Sequence, residues 1–393
     1  MFIIDILIYV FFAFFSSSLA KKSENYIGEN DLSSDKWDKY LIWFVVFFTI
    51  IGGIRWNVGS DSISYAAIFN HADLDFEENR EILWKLLVYS FQSLNLHWTF
   101  GLAFCAFIQI YFITKTTMPY RCLLVFLPFV LFGGRYWIDC MGAVRQMIVA
   151  CGFLWASRFI YEKKLLKYIL FIAVGAMVHQ SAVILLPFYF MPNNLMVTDK
   201  RLLLIGIFLA CVVIGQAPAF QGIADYVQII AGASNYDAKI DSLTELLTSG
   251  ETDESLSFGP MMLSYLLIPI CIIWYGSELE EEYCEKIPYF NLWFNFAYLY
   301  ACGYFLVCNI GHYFIRPVMY FSLFQMVIAA GLLRFLWCDY VNIGRRQIAT
   351  LFFCVTIAVN TGWDIYKASG KTFESSTYKI FLFHKYQRKW FNL

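Results

Sequence analysis

Apolar runs of nearly bilayer length recur from one end of this chain to the other, and they restrict its fold more than any other feature. A membrane-crossing helix needs about 20 mostly apolar residues. Runs approaching that length lie at 2–20, 40–54, 98–114, 122–134, 141–161, 166–178, 181–191, 202–217, 260–276, 289–309, 317–337 and 347–361. Only 15% of the 393 residues are charged and 60% are hydrophobic, against roughly 25% charged in a soluble domain. Such a chain cannot cover a water-facing surface, so its main solvent is lipid. The expected fold is all-α: one polytopic integral membrane domain over 1–393, with about 12 transmembrane helices. The short runs 122–134 and 181–191 predict tilted, broken or re-entrant segments. The first run lacks a basic leader and is expected to stay as an uncleaved span.

Basic residues orient the spans. Lys21, Lys22, Lys36 and Lys39, then Lys115 and Arg121, fall on one side if the N-terminus is outside. So do Arg158, Lys163, Lys164 and Lys167, then Lys200 and Arg201, then Arg345 and Arg346. The basic tail, 362–393, runs against this pattern. The outer loops are then 55–97 and 218–259. Within them, 81–96 predicts an interfacial helix carrying Glu81 and Lys85 at i, i+4 spacing. The acidic stretch 218–259 predicts two amphipathic helices on the outer face. A net charge of −1 gives no bulk attraction to nucleic acid. The eleven cysteines are scattered, with no CxxC pair, and predict neither a zinc site nor a disulfide framework.

In this topology, ionisable residues from distant spans meet at the outer face. They are Arg55 and Asp61, Arg135 and Asp139, Arg145, His179, His312 and Arg316. Charges at membrane depth are costly and usually functional. Bland readings remain for four of them: Asp61 as a helix cap, Arg145 snorkelling to headgroups, His179 satisfied by a carbonyl, Arg316 as an interfacial anchor. Several arginines on one face suit a strongly anionic group, because the guanidinium pairs bidentately with phosphate. Asp73-Leu74-Asp75 is the only DxD-like triplet and is too short a pattern to count. No metal and no cofactor are expected.

These residues also carry a resemblance. "RWNVGSDSISYAAIF" resembles a signature of the EpsG-like polysaccharide polymerases, roughly Arg-Tyr-x-Val-Gly-Thr-Asp-Tyr-x-x-Tyr. Arg55, Val58, Gly59, Asp61 and Tyr65 match it, while Trp56, Ser60 and Ser62 depart from it. Glu81 in "REILWKLLVYS", Arg145 and Gln146 in "AVRQMIVACGFLW", and His179, Ser181 and Ala182 in "VHQSAVILLP" resemble further family segments in order. Arg316, Tyr320 and Phe321 in "IRPVMYF" complete the set.

The resemblance implies a Wzy-type polymerase, similar to the multi-span lipid-dependent glycosyltransferases. Such an enzyme joins oligosaccharide repeat units carried on undecaprenyl pyrophosphate, at the outer face of the bacterial cytoplasmic membrane. The product is an exopolysaccharide, capsule or O-antigen. The pathway's flippase and chain-length regulator are further partners that this implies. Arg55, Arg145, Arg316 and Gln146 are the expected pyrophosphate-binding residues. His179 is favoured as the base, since imidazole exchanges protons near neutral pH, with Asp61 and Glu81 as alternatives. Tyr65 and Tyr320 are the expected sugar contacts. The rival readings are a flippase of lipid-linked oligosaccharides, an O-antigen ligase, a membrane O-acyltransferase and a non-catalytic assembly subunit.

Overall fold

The computed structural model describes residues 2–29, 34–59, 61–70, 81–194, 200–217, 260–309, 312–338, 343–355 and 378–380. Three expectations lie outside the described residues: the amphipathic helices of 218–259, the Asp73-Leu74-Asp75 triplet, and all of the tail 362–393 but its short segment 378–380. Among the described residues the chain is helical, as expected, with 16 α-helices. In chain order they are α1 Phe2–Glu29, α2 Lys39–Gly53, α3 Ser62–Phe69, α4 Ile82–Ser93, α5 Trp98–Thr117, α6 Arg121–Gly133, α7 Tyr136–Gly142 and α8 Val144–Tyr161. They continue as α9 Leu165–Val178, α10 Arg201–Gln216, α11 Pro260–Trp274, α12 Gly276–Tyr283, α13 Phe290–Val307, α14 His312–Met319, α15 Ser322–Cys338 and α16 Ile343–Val355. A 3₁₀ helix, Gln180–Phe190, follows α9. Strands β1 (Arg55–Trp56) and β2 (Lys379–Ile380) pair antiparallel.

Side-chain contacts give the helix directions. Phe12 of α1 meets Phe132 near the end of α6, Ser17 Oγ donates to the Val125 carbonyl at 2.7 Å, and Arg121 Nε donates to Ser23 Oγ at 2.9 Å. α1 and α6 are therefore antiparallel. α2 runs back beside α1, with Phe47 against Phe12 and Asp38 bonded to Ser23. The ends of α2, α6 and α9, the starts of α5 and α8, and segment 378–380 thus share one end of the bundle. Tyr378 fixes the tail segment there, donating to the Ile51 carbonyl at 2.8 Å. The basic clusters from Lys21 to Arg201 lie toward the other end.

α15 is buried continuously from Ser322 to Leu333 and is mostly apolar on every side, the pattern of a helix enclosed by others. The outer helices instead turn apolar stripes outward. Phe100, Phe104, Phe107 and Tyr111 of α5 are exposed at helical spacing, as are Leu7, Phe11 and Phe14 of α1. Stripes of this kind suit a lipid solvent. By length and composition, Ile6–Gly28 and Trp98–Gly133 could cross a membrane. The second is divided by a 3₁₀ turn at Met118–Tyr120 into α5 and α6. Six further apolar helices among the described residues have 10–17 residues. The expected count of about 12 spans goes beyond these lengths.

The segment expected to be irregular, 181–191, is a 3₁₀ helix of 11 residues. Runs that long are uncommon. Pro187 inside it cannot donate a backbone N–H. His179 ends α9 in an extended conformation (φ −150°, ψ 112°), so the chain reverses at the imidazole.

At the end opposite the site, Arg121 does more than mark orientation. Only 5% of its side chain is exposed, and it stands 3.3 Å from Asp38, itself 1% exposed. It also donates to the carbonyls of Ser34, Lys36 and Met118. Asp38 in turn caps α2, accepting from the N–H groups of Tyr40 (2.8 Å) and Leu41 (3.2 Å).

Candidate active site

The chain leaves α2 through close packing. A Cβ on Gly52 or Gly53 would stand 2.4 Å or 2.6 Å from the Cβ of Ala106 or Ala103, so α2 and α5 approach as only glycine allows. The turn that follows puts Gly59 at φ +89°, where a Cβ would lie 2.3 Å from the Gly142 amide nitrogen. Both the backbone angle and the space demand glycine. This turn delivers Asp61 and α3 onto a small aromatic core built from Tyr65, Phe69, Trp84, Val88, Trp98 and Leu102.

On that core sits a charged cluster drawn from three distant segments. Glu81, 5% exposed, opens α4. Its Oε1 accepts from His179 Nδ1 at 2.8 Å and from the Gln180 N–H at 3.1 Å. Its Oε2 accepts from Arg145 Nη1. Arg145 lies against the rings of Trp84 and Tyr65, 5.8 Å and 6.0 Å from their centroids, and its Nε faces the Tyr65 hydroxyl at 3.4 Å. Beside them Ser181 Oγ and Tyr320 Oη share a hydrogen bond of 2.7 Å. Burial alone would raise the pKa of Glu81, but the His179 hydrogen bond and the Arg145 charge outweigh it and hold the carboxyl below its ordinary value. Burial pushes the Tyr65 phenol up, against the pull of Arg145.

Two polar atoms in this cluster are not engaged by the described residues. With Nδ1 engaged by a carboxylate, the neutral imidazole keeps its lone pair on Nε2. That nitrogen has no hydrogen-bond partner among the described residues, nor has Arg145 Nη2. The two side chains remain 16% and 30% exposed. A base and a cation therefore stand side by side, joined by one carboxylate.

The structure brings together Glu81, Arg145, His179 and Tyr65, with Tyr320 adjacent, and departs from the sequence expectations elsewhere. Arg55 is 1% exposed and donates to the carbonyls of Gly52 and Met141, the second at 3.2 Å. It ties the end of α2 to α7 and is not part of the cluster. Gln146 is also engaged structurally, donating to the Arg316 carbonyl and so joining α8 to α14. Tyr65 and Tyr320 are 5% and 0% exposed, so their ring faces are not open for stacking on sugars, and only their hydroxyls reach the site. Asp61 holds the N-cap position of α3 without a side-chain capping bond, half-buried and close enough to act electrostatically on Tyr65. The Arg316 side chain is half-buried on α14. Trp84 was missed as a residue beneath Arg145; its place in "EILW", three residues after Glu81, was the available signal. Among the described residues no group of three His, Cys, Asp or Glu could hold a metal ion.

The sequence matches the EpsG family over residues 38–379. The chain belongs to the EpsG family. Membership supports a general role in polysaccharide biosynthesis within a membrane. The match runs from Asp38, the cap of α2, to Lys379 in β2. Comparison with curated proteins and with solved structures gives no match.

The electrostatics of Glu81 set a pH test. A carboxyl whose pKa is depressed on folding contributes stability above its unfolded value, and loses it as pH falls through the folded one. Wild type is expected to melt higher than Glu81→Gln at neutral pH. That gap should narrow as pH falls through the ordinary carboxylate range and close below the folded value. Thermal unfolding in detergent across this range reads it; a gap that widens on acidification would contradict the arrangement.

Proposed function

We propose that this chain is a membrane polysaccharide polymerase that transfers a saccharide from a prenyl-pyrophosphate carrier to a hydroxyl on a second lipid-linked unit. The carrier we propose is undecaprenyl pyrophosphate, and the fold a bundle of about 12 spans. The carrying observation is the single carboxylate that bridges a base and a cation, Glu81 between His179 and Arg145. In the proposed step His179 Nε2 takes the proton of the acceptor hydroxyl. The acceptor oxygen bonds to the anomeric carbon as that carbon's bond to the pyrophosphate oxygen breaks. The electron pair leaves with the pyrophosphate, where Arg145, with Arg316 as a second donor, meets the growing negative charge. Glu81 is a positioning residue in this scheme: it fixes the imidazole tautomer and aims the guanidinium. Asp61, whose carboxylate makes no capping bond, is proposed to orient the acceptor. The basic clusters gathered toward the far end of the bundle support an orientation with this site outside the cytoplasm.

The test is chain-length distribution. Purified protein in lipid receives the repeat unit extracted as its undecaprenyl-pyrophosphate conjugate from the source cells. Wild type is expected to give a ladder of polymers, with and without EDTA. Arg145→Ala and His179→Ala are expected to lower its rate of formation by about 10²-fold or more while still folding. Lipid-linked saccharide crossing the bilayer without elongation would overturn the polymerase reading and favour a transporter.

A further inference from the structure

A second polar cluster lies at the same end of the bundle and takes no part in the proposed chemistry. Arg135 is the residue before α7, and its Nη1 donates to the Tyr265 hydroxyl on α11 at 3.3 Å. The Tyr265 ring stands 5.8 Å from that of Tyr304, which stands 5.7 Å from Tyr300 one turn earlier on α13. Asp139 of α7 acts electrostatically on Tyr136, Tyr300 and Tyr304, and Arg135 acts on Tyr304. Tyr136 donates to Gln325 of α15 at 3.0 Å. Arg135, Asp139, Tyr265, Tyr300 and Tyr304 are all half-buried. The hydroxyls of Tyr300 and Tyr304 take no hydrogen bond from the described residues. Arg135 adopts φ +68°, a sparsely populated region for a residue with a side chain.

Charged residues inside an apolar bundle are costly and mark places where a polar ligand enters. Tyrosine pairs an apolar ring face with a polar tip. A sugar offers the complement, with C–H faces for the rings and hydroxyls for the phenols, the guanidinium and the carboxylate. The two clusters also meet one short stretch of chain: Tyr320 bonds Ser181 in the first, and Gln325 bonds Tyr136 in the second.

We propose that Arg135, Asp139, Tyr265, Tyr300 and Tyr304 form a second saccharide subsite, which holds the acceptor unit while the pyrophosphate-linked donor occupies the Arg145–His179 cluster. This rests on the polymerase reading, which requires two saccharides at once. The probe is the repeat-unit saccharide released by mild acid from the lipid-linked pool and remade as its octyl glycoside. Lacking pyrophosphate, it can accept but cannot donate.

Initial rates are measured while the octyl glycoside and the lipid-linked donor are varied separately. Tyr304→Ala is expected to raise the KM for the octyl glycoside about tenfold or more, leaving the KM for the donor near that of wild type. Tyr304→Phe, which keeps the ring, should show a smaller rise in the same constant. Unchanged acceptor KM in a folded Tyr304→Ala protein would overturn the subsite, as would equal rises in both constants. Binding of the octyl glycoside in lipid nanodiscs, followed by saturation-transfer NMR, separates this proposal from the polymerase reading. Should wild type transfer nothing, saccharide signal that disappears in Tyr304→Ala still supports the subsite. No signal in wild type overturns it.

Discussion

Glu81→Gln is expected to slow polymer formation about as much as His179→Ala, roughly 10²- to 10⁴-fold, and the double variant is expected to be little worse than either. The reason is that one carboxylate serves both functional side chains. Glu81 Oε1 holds His179 Nδ1 at 2.8 Å and Oε2 receives Arg145 Nη1. Glutamine keeps the shape but offers only one acceptor oxygen, and its amide nitrogen would face either the imidazole N–H or the guanidinium. With the nitrogen toward the imidazole, Nδ1 loses its acceptor and the lone pair is no longer held on Nε2; with it toward the guanidinium, Arg145 loses its carboxylate. Residues that act as a unit give non-additive losses. Rates of ladder formation by wild type, the two single variants and the double variant close the cycle. Additive losses would mean that Glu81 and His179 act separately, and the positioning role would fall.

Arg121→Ala is expected to lower stability by about 3–5 kcal/mol, because it leaves Asp38 buried without its cation. The pair lies at the far end of the bundle from the site, and both side chains are almost fully enclosed. Arg121 also satisfies three backbone carbonyls from Ser34, Lys36 and Met118, which bind the α1–α2 connection to the start of α6. A double variant, Arg121→Met with Asp38→Asn, should recover part of the loss. Methionine fills much of the arginine's volume, asparagine still caps α2, and no unpaired charge remains. Thermal unfolding in detergent reads the difference between the two proteins. A single variant that melts with wild type would show that the pair is screened by water and contributes little. Transfer activity per folded molecule should stay near wild type in the double variant, since nothing at this end touches the cluster around Glu81.

Much of the fold could be read from composition and period. Runs of 15–20 apolar residues have to become helices wherever water is absent, because only a helix satisfies each backbone group within its own segment. A short run with a proline warned of irregularity at both 122–134 and 181–191, but the first forms the α-helix α6 and only the second is a 3₁₀ helix. Asp38 before "KYLIWF" gave no comparable warning. Its role as a cap is ordinary, but its pairing with Arg121 joins residues 83 apart in sequence.

The candidate site was legible as a set of residues and much less so as a set of partners. Arg55 and Arg145 look alike in the chain, each beside an apolar run at the same end of the bundle. Folding buries the first against the carbonyls of Gly52 and Met141 and seats the second beside Glu81. Glu81 has Lys85 at helical spacing, yet its carboxylate turns to Arg145 and His179, 64 and 98 residues away. The tyrosines of α11 and α13 were indistinguishable from the other aromatics of a chain that is 20% Phe, Trp and Tyr.

The sequence by itself determined the solvent, the helical class, the family and the end of the bundle at which the ionisable residues collect. The solvent and the helical class follow from the free energy of placing each segment in lipid, which depends on local composition; the family follows from the order of its motifs. The tertiary structure alone decided which arginine meets a carboxylate, which glutamine becomes a tie between helices, and which imidazole nitrogen faces the Glu81 carboxylate. Those outcomes depend on distances between segments far apart in the chain, and helix packing sets those distances.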